Sequence, residues 1–84
     1  MRSYRLLVDW EVIEIVNRCP GALRRRLKDA FVRIGKYPDR MCDYMEPNER
    51  GIELGVHLSH GFAIKYWTDF ADRHVKILDI VAAD

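Results

Sequence analysis

Three short apolar runs follow one another between residues 51 and 81, and they constrain this chain more than any other feature. In residues 51–59 the apolar side chains fall at Ile52, Leu54, Val56 and Leu58, with Glu53, Gly55, His57 and Ser59 between them, which is the period of a strand with one buried face. Residues 62–67 place Phe62, Ile64 and Tyr66 on one side and Ala63, Lys65 and Trp67 on the other. Residues 74–81 are β-branched and nearly continuous in apolar character, as expected of a strand flanked on both edges or covered on both faces. Asp79 interrupts that run and is expected on the open face, because burying a lone carboxylate is costly. A three-stranded antiparallel meander is the prediction.

Parity suggests a register, since a slip of one residue moves every side chain to the other face. A two-residue loop at His60 and Gly61 would set Val56 opposite Lys65. A three-residue loop over Ser59, His60 and Gly61 instead sets Leu58 opposite Phe62, Val56 opposite Ile64 and Leu54 opposite Tyr66, with glycine at a left-handed position. The second arrangement is predicted.

Ahead of the meander, residues 3–8 read as a strand through Tyr4, Leu6, Leu7 and Val8. Asp9 is an N-cap candidate for a helix from Trp10, and Glu11 suits its first turn. Its apolar side is either Trp10, Ile13 and Val16 or Val12, Ile15 and Val16, and Pro20 and Gly21 end it. Residues 22–36 form the clearest helix, with Leu23, Leu27, Ala30, Phe31 and Ile34 in one stripe; Gly35 weakens its last turn and Pro38 stops it. Residues 37–50 read as a linker whose Met41, Tyr44 and Met45 are too apolar for a fully solvated loop and either cap the core, the favoured reading, or lie against a partner, and the sequence from Pro47 to Gly51 is turn-like. The fold class is therefore α+β in one domain, residues 1–84, with a leading strand, a helical hairpin and the meander.

With 84 residues the chain is large enough for a modest core, at a size where a homodimer or a partner often adds stability. It holds no apolar run of the roughly 18–20 residues a membrane span needs, and its first ten residues lack the pattern of a secretory signal. A cytoplasmic location is the expectation. Cys19 and Cys42 are too few for a disulfide framework, and the three histidines complete no zinc pattern with them, so neither metal nor cofactor is expected. The net charge of +1 is uninformative, but its distribution is not. Residues 1–42 hold ten Arg and Lys against five Asp and Glu, whereas residues 43–84 hold four against eight. On the second helix Arg24, Arg25, Arg26, Lys28, Arg33 and Lys36 face Asp29 alone. That side is read either as a solvated outer face or as an electrostatic surface for RNA or an acidic partner.

The order of elements resembles the RelE/ParE toxin superfamily of bacterial type II toxin–antitoxin systems, also described as plasmid stabilisation proteins. The resemblance is carried by Gly61, Phe62, Ala63, Ile64, Lys65 and Tyr66, similar to the family's glycine, aromatic, arginine, aliphatic, any residue, tyrosine pattern. It is carried also by Val75, Lys76, Ile77, Leu78, Asp79 and Ile80, similar to its last strand. The resemblance implies a toxin held by a cognate antitoxin whose extended or helical segment wraps it, acting either as an endonuclease on ribosome-bound mRNA or as an inhibitor of DNA gyrase. Two departures stand out. The phosphate-holding arginine of the ribonuclease members falls at Ala63, and the basic or aromatic tail is replaced by Val81, Ala82, Ala83 and Asp84.

Metal-independent RNA cleavage needs a base for the 2′-hydroxyl, a cation for the phosphate and an acid for the leaving oxygen. In the predicted register His57 and Lys65 are diagonal neighbours with Glu53 two residues along. The expected catalytic set is therefore His57 as base or acid, Lys65 on phosphate and Glu53 as orienting or deprotonating group, with Arg24, Arg25, Arg26, Lys28 and Arg33 as the nucleic-acid surface. Three alternatives remain beside it. These side chains are the solvated alternates of an amphipathic strand; the chain is a non-enzymatic binding protein on the same fold, gyrase-directed or without catalytic activity; or it is a small RNA-binding domain, a reading weakened by the lack of stacking aromatics beside the arginines.

Overall fold

The computed structural model describes residues 4–83; Ser3, where the first strand is predicted to begin, and Asp84 lie outside the described residues. The elements are β1 (Arg5–Val8), α1 (Trp10–Asn17), α2 (Gly21–Lys36), β2 (Tyr44–Pro47), β3 (Glu53–Ser59), β4 (Phe62–Asp69) and β5 (His74–Ala82). The strands form one sheet in the order β1-β5-β4-β3-β2. β3, β4 and β5 are the antiparallel meander the sequence predicts, and β1 joins it in parallel beside β5. The helical hairpin takes the chain across one face of the sheet from β1 at one edge to β2 at the other, and three antiparallel steps through β3 and β4 then bring β5 back beside β1.

Both helices begin and bury as their sequences dictate. The Asp9 carboxylate accepts the Glu11 backbone N–H at 3.0 Å and caps α1. Of the two apolar sides open to α1, Val12 and Val16 are buried and Trp10 is 69 % exposed. On α2 the stripe of Leu27, Ala30, Phe31 and Ile34 is buried. It packs in one cluster with Ile64 and Tyr66 of β4 and Val75, Ile77 and Ile80 of β5. Each fully buried aliphatic chain there contributes about 1.5–3 kcal/mol. Gly35 does not interrupt α2. A Cβ built on it would lie 3.4 Å from the Leu6 Cβ, so the glycine lets the helix lie close over β1. No helix among the described residues is long and apolar enough to cross a membrane.

The register of the hairpin between β3 and β4 differs from the parity prediction. Val56 pairs with Lys65, His57 with Ile64 and Ser59 with Phe62, joined by a two-residue turn in which His60 and Gly61 both have positive φ, 50° and 84°. Two positive φ values make the turn whose twist suits adjacent strands. The parity argument fails because both faces hold buried apolar side chains. Ile64 and Tyr66 lie under the helices, while Leu54, Val56 and Ala63 are buried on the opposite side of the sheet. A slip between Lys65 and Tyr66 then leaves Leu78 unpaired against β4. Through that bulge both Ile77 and Ile80 reach the helix side, and Asp79 stays opposite Lys65 on the open side.

The predicted linker also contains structure. Residues 44–47 form β2 and pair with β3, Tyr44 opposite Val56 and Glu46 opposite Leu54. The turn after it is as expected. The Asn48 side-chain oxygen accepts the backbone N–H groups of Arg50 and Ile52 at 2.8 and 2.9 Å, and Gly51 takes φ 80°.

One glycine is fixed by packing. Gly55 lies opposite Tyr66, and a Cβ there would approach the Tyr66 ring to 2.9 Å. The ring cannot yield, because it is buried and its hydroxyl donates to the Pro38 carbonyl at 2.6 Å. Gly55→Ala is expected to lower stability by about 1–3 kcal/mol, an overpacking cost, read from the urea midpoint at unchanged slope.

Candidate functional site

The face of the sheet away from the helices is assembled in rows by the register. One row runs Leu58, Ala63, Val81; the next runs Tyr44, Val56, Lys65, Asp79; beyond these Glu46 pairs with Leu54 on β2 and β3, and a third row runs Trp67, Lys76, Leu7 across β4, β5 and β1. Its character is set by Tyr44, Leu58 and Val81, all more than a third exposed, around Lys65 at its centre, with a second, exposed lysine, Lys76, in the third row. Lys65 Nζ lies 2.6 Å from a Glu46 carboxylate oxygen. That hydrogen bond holds the ammonium above its ordinary pKa against the opposing effect of partial burial, with the charges of Glu46 and Asp79 adding to it. Lys65 is thus already neutralised by Glu46 from β2 and has Asp79 across from it on β5.

A pH consequence follows. The raised pKa contributes stability that is fully present below the ordinary lysine value of 10.5 and is lost as pH rises through the higher folded value. The NMR titration of the Lys65 side chain is expected to have its midpoint above 10.5 in the native chain and to fall towards that value in Glu46→Gln.

His57 and Glu53 do not join Lys65. Side chains alternate along β3, so Glu53, Gly55 and His57 share the helix side, and Lys65 faces the other way. The predicted trio is therefore divided by the sheet itself, a direct result of the register correction. His57 fastens the connection between α2 and β2. Its Nδ1 lies 2.8 Å from the Met41 carbonyl oxygen, which can only accept, so Nδ1 carries the proton, and Asp43 Oδ2 is 3.3 Å away. The Asp43 carboxylate in turn accepts the Leu58 backbone N–H at 2.8 Å.

The basic residues of α2 lie where the sequence places them. Arg25, Arg26, Lys28 and Arg33 are exposed and form no ion pair with any described residue. Arg24 reaches the Asn17 carbonyl at 3.4 Å. Beside this face runs an apolar groove of about 400 Å³, between α1, α2 and β1, lined by Leu6, Val8, Ile13, Val16, Phe31 and Val32, with Lys28 and Asn17 at its margin. β1 is an edge strand. Nothing in the sequence marked this groove, because it forms only where three successive elements pack side by side.

One grouping of metal-type donors was also missed. Asp69, Asp72 and His74 bring a ligand atom each within 4.8 Å of one another at the turn between β4 and β5. The turn's own bonds account for them. Asp69 accepts the Asp72 backbone N–H at 3.0 Å, and His74 Nδ1 lies 3.0 Å from Asp72 Oδ2, with the His74 ring edge-on to Trp67 at 5.9 Å.

No protein-family model matches the sequence, and no curated protein matches it either. Solved structures do match. A chain of the RelBE2 toxin–antitoxin complex from Mycobacterium tuberculosis superimposes with a TM-score of 0.78 at 13 % identity, covering 98 % of this chain and 100 % of that one. The chain has the RelE-like fold. An archaeal RelE–RelB complex from Pyrococcus horikoshii OT3 gives the same TM-score, 0.78, at 18 % identity over 96 % of each chain. The resemblance drawn from residues 61–66 and 75–80 therefore holds at the level of fold. The RelE-like sheet is mixed, extended by β2 and by the parallel β1.

Proposed function

We propose that this chain is the toxin-fold member of a toxin–antitoxin pair and that an antitoxin segment occupies the groove between α1, α2 and β1. The observation that carries the reading is the end-to-end match with chains from two toxin–antitoxin complexes. The groove supports it. A strip of Leu6, Val8, Ile13, Phe31 and Val32 suits the apolar side of an extended or helical segment, and the exposed cations of α2 favour acidic residues on that segment and speed its approach.

How such a toxin would act is a separate matter, and the sheet's open face favours binding over cleavage. Ala63 offers no phosphate contact, Lys65 is engaged by Glu46, and His57 faces the other way. A gyrase-directed or otherwise non-enzymatic toxin suits a face whose central lysine is held by Glu46 better than an mRNA endonuclease does. The α2 arginines remain the candidate for any nucleic-acid contact, through phosphates alone.

Induced expression in bacteria tests both layers. Growth arrest relieved by the product of a small adjacent reading frame is expected, with no new 5′ ends in translated messages. Harmless expression together with no complex with that product would overturn the toxin reading. Cleaved messages would restore the ribonuclease in place of the binder, and Lys65→Ala would then show whether this face carries it.

A further inference from the structure

A second cavity, of about 340 Å³, lies at the other end of the molecule, between the connection from α2 to β2 and the ends of β3 and β4. Asp39 and Glu53 line it, both exposed and neither ion-paired with a described residue. No lysine, arginine or histidine lines it. The Tyr66 hydroxyl beside it donates to Pro38 and so brings no positive charge or free donor to the cavity. The cavity thus offers acceptors and negative charge to whatever enters.

Its walls are apolar. Met45, Ile52 and Phe70 line it and are 55 %, 46 % and 57 % exposed, three large apolar side chains gathered at one opening. An exposed apolar rim around a polar basin is the pattern of a protein-binding surface. The group that satisfies such a rim and such a basin together is planar, cationic and rich in donors. A guanidinium stacks on aromatic faces and gives paired hydrogen bonds to a carboxylate, whereas an ammonium is a compact, strongly hydrated point charge.

We infer that this cavity receives an arginine side chain presented by a protein partner, with Asp39 and Glu53 taking the guanidinium and Phe70, Met45 and Ile52 its stem and the neighbouring residues. The site shares no lining residue with the α2 groove, and it does not depend on the toxin reading. Failure of antitoxin binding would leave it untouched.

The test is an NMR titration of the full chain, labelled at methionine methyl groups and phenylalanine rings, with acetyl-arginine-methylamide and its neutral citrulline counterpart. Saturable shifts at Met45 and Phe70 are expected with the arginine compound and none with citrulline. The double variant Asp39→Asn/Glu53→Gln, with its remaining spectrum unchanged, is expected to lose saturation. Equal shifts with citrulline, or saturation that survives in the variant, would overturn the inference. Equal or tighter binding of the blocked lysine would overturn the choice of guanidinium, and tighter binding of free arginine than of the blocked form would overturn the protein partner.

Discussion

Tyr66→Ala is expected to cost the fold about 3–5 kcal/mol, the range for removing a large buried aromatic, enough to unfold much of a domain whose whole stability is of order 5–15 kcal/mol. Tyr66 is 2 % exposed, packs in the core beneath the helices, presses its ring on Gly55 and donates its hydroxyl to Pro38 at 2.6 Å. It therefore joins three things at once: the helical layer, the β3 backbone and the connection to β2. Tyr66→Phe separates them. It keeps the ring and leaves the Pro38 carbonyl unpaired, for an expected loss of about 1–3 kcal/mol. The two variants should differ in pH dependence as well. Burial holds the Tyr66 hydroxyl well above the ordinary tyrosine value of 10.0, with the neighbouring Cys42 thiol adding to the shift. In the unfolded chain the phenol ionises near its ordinary value, so native stability falls as pH rises above about 10. Denaturant midpoints measured across that range should fall less steeply in Tyr66→Phe than in the native chain.

The same residue shows what the sequence reveals and what it hides. The alternation at Ile52, Leu54, Val56 and Leu58 makes β3 visible, and the stripe from Leu23 to Ile34 makes α2 visible, because each pattern is local and reports its own period. Register is not local. Choosing it by parity assumed one wet face, but the sheet buries Ile64 and Tyr66 on one side and Val56 and Leu54 on the other, so matching apolar with apolar selected the wrong pairing. A signal for the true register does exist. Gly55 sits inside a strand pattern, and a glycine there marks a close approach; pairing it with the one large aromatic that needs room would have set Tyr66 opposite Gly55 and the turn at His60 and Gly61. β2 was hidden for another reason. It is four residues long at an edge and ends in proline, too short for a period to show. The candidate catalytic set inherited the register error, since a shift of one residue sends Lys65 to the face opposite His57. The basic side of α2 was legible because a helix displays its charges wherever it packs.

If the α2 groove holds an antitoxin as proposed, Val32→Glu is expected to weaken that complex by about 2–4 kcal/mol, roughly 30- to 1,000-fold in Kd, the loss typical of a central interface residue. Val32 lines the groove beside Phe31, and at 48 % exposure it belongs to the surface of α2 more than to its core. A glutamate there suits the helix and lies one turn from Lys28, so stability should move by no more than about 0.5 kcal/mol. In the complex the same carboxylate would be pressed between apolar side chains, where an ion without a close partner is costly. Calorimetric titration of the variant with the antitoxin, beside its thermal unfolding curve, separates the two effects. Charge reversal at Arg25, Arg26 and Arg33 should behave differently, slowing association at low salt while leaving dissociation nearly unchanged, because exposed charges steer encounters more than they hold the bound state. If Val32→Glu binds as tightly as the native chain, the groove is not where an antitoxin lies, and the exposed arginines of α2 then stand as a surface for phosphate rather than for an acidic protein.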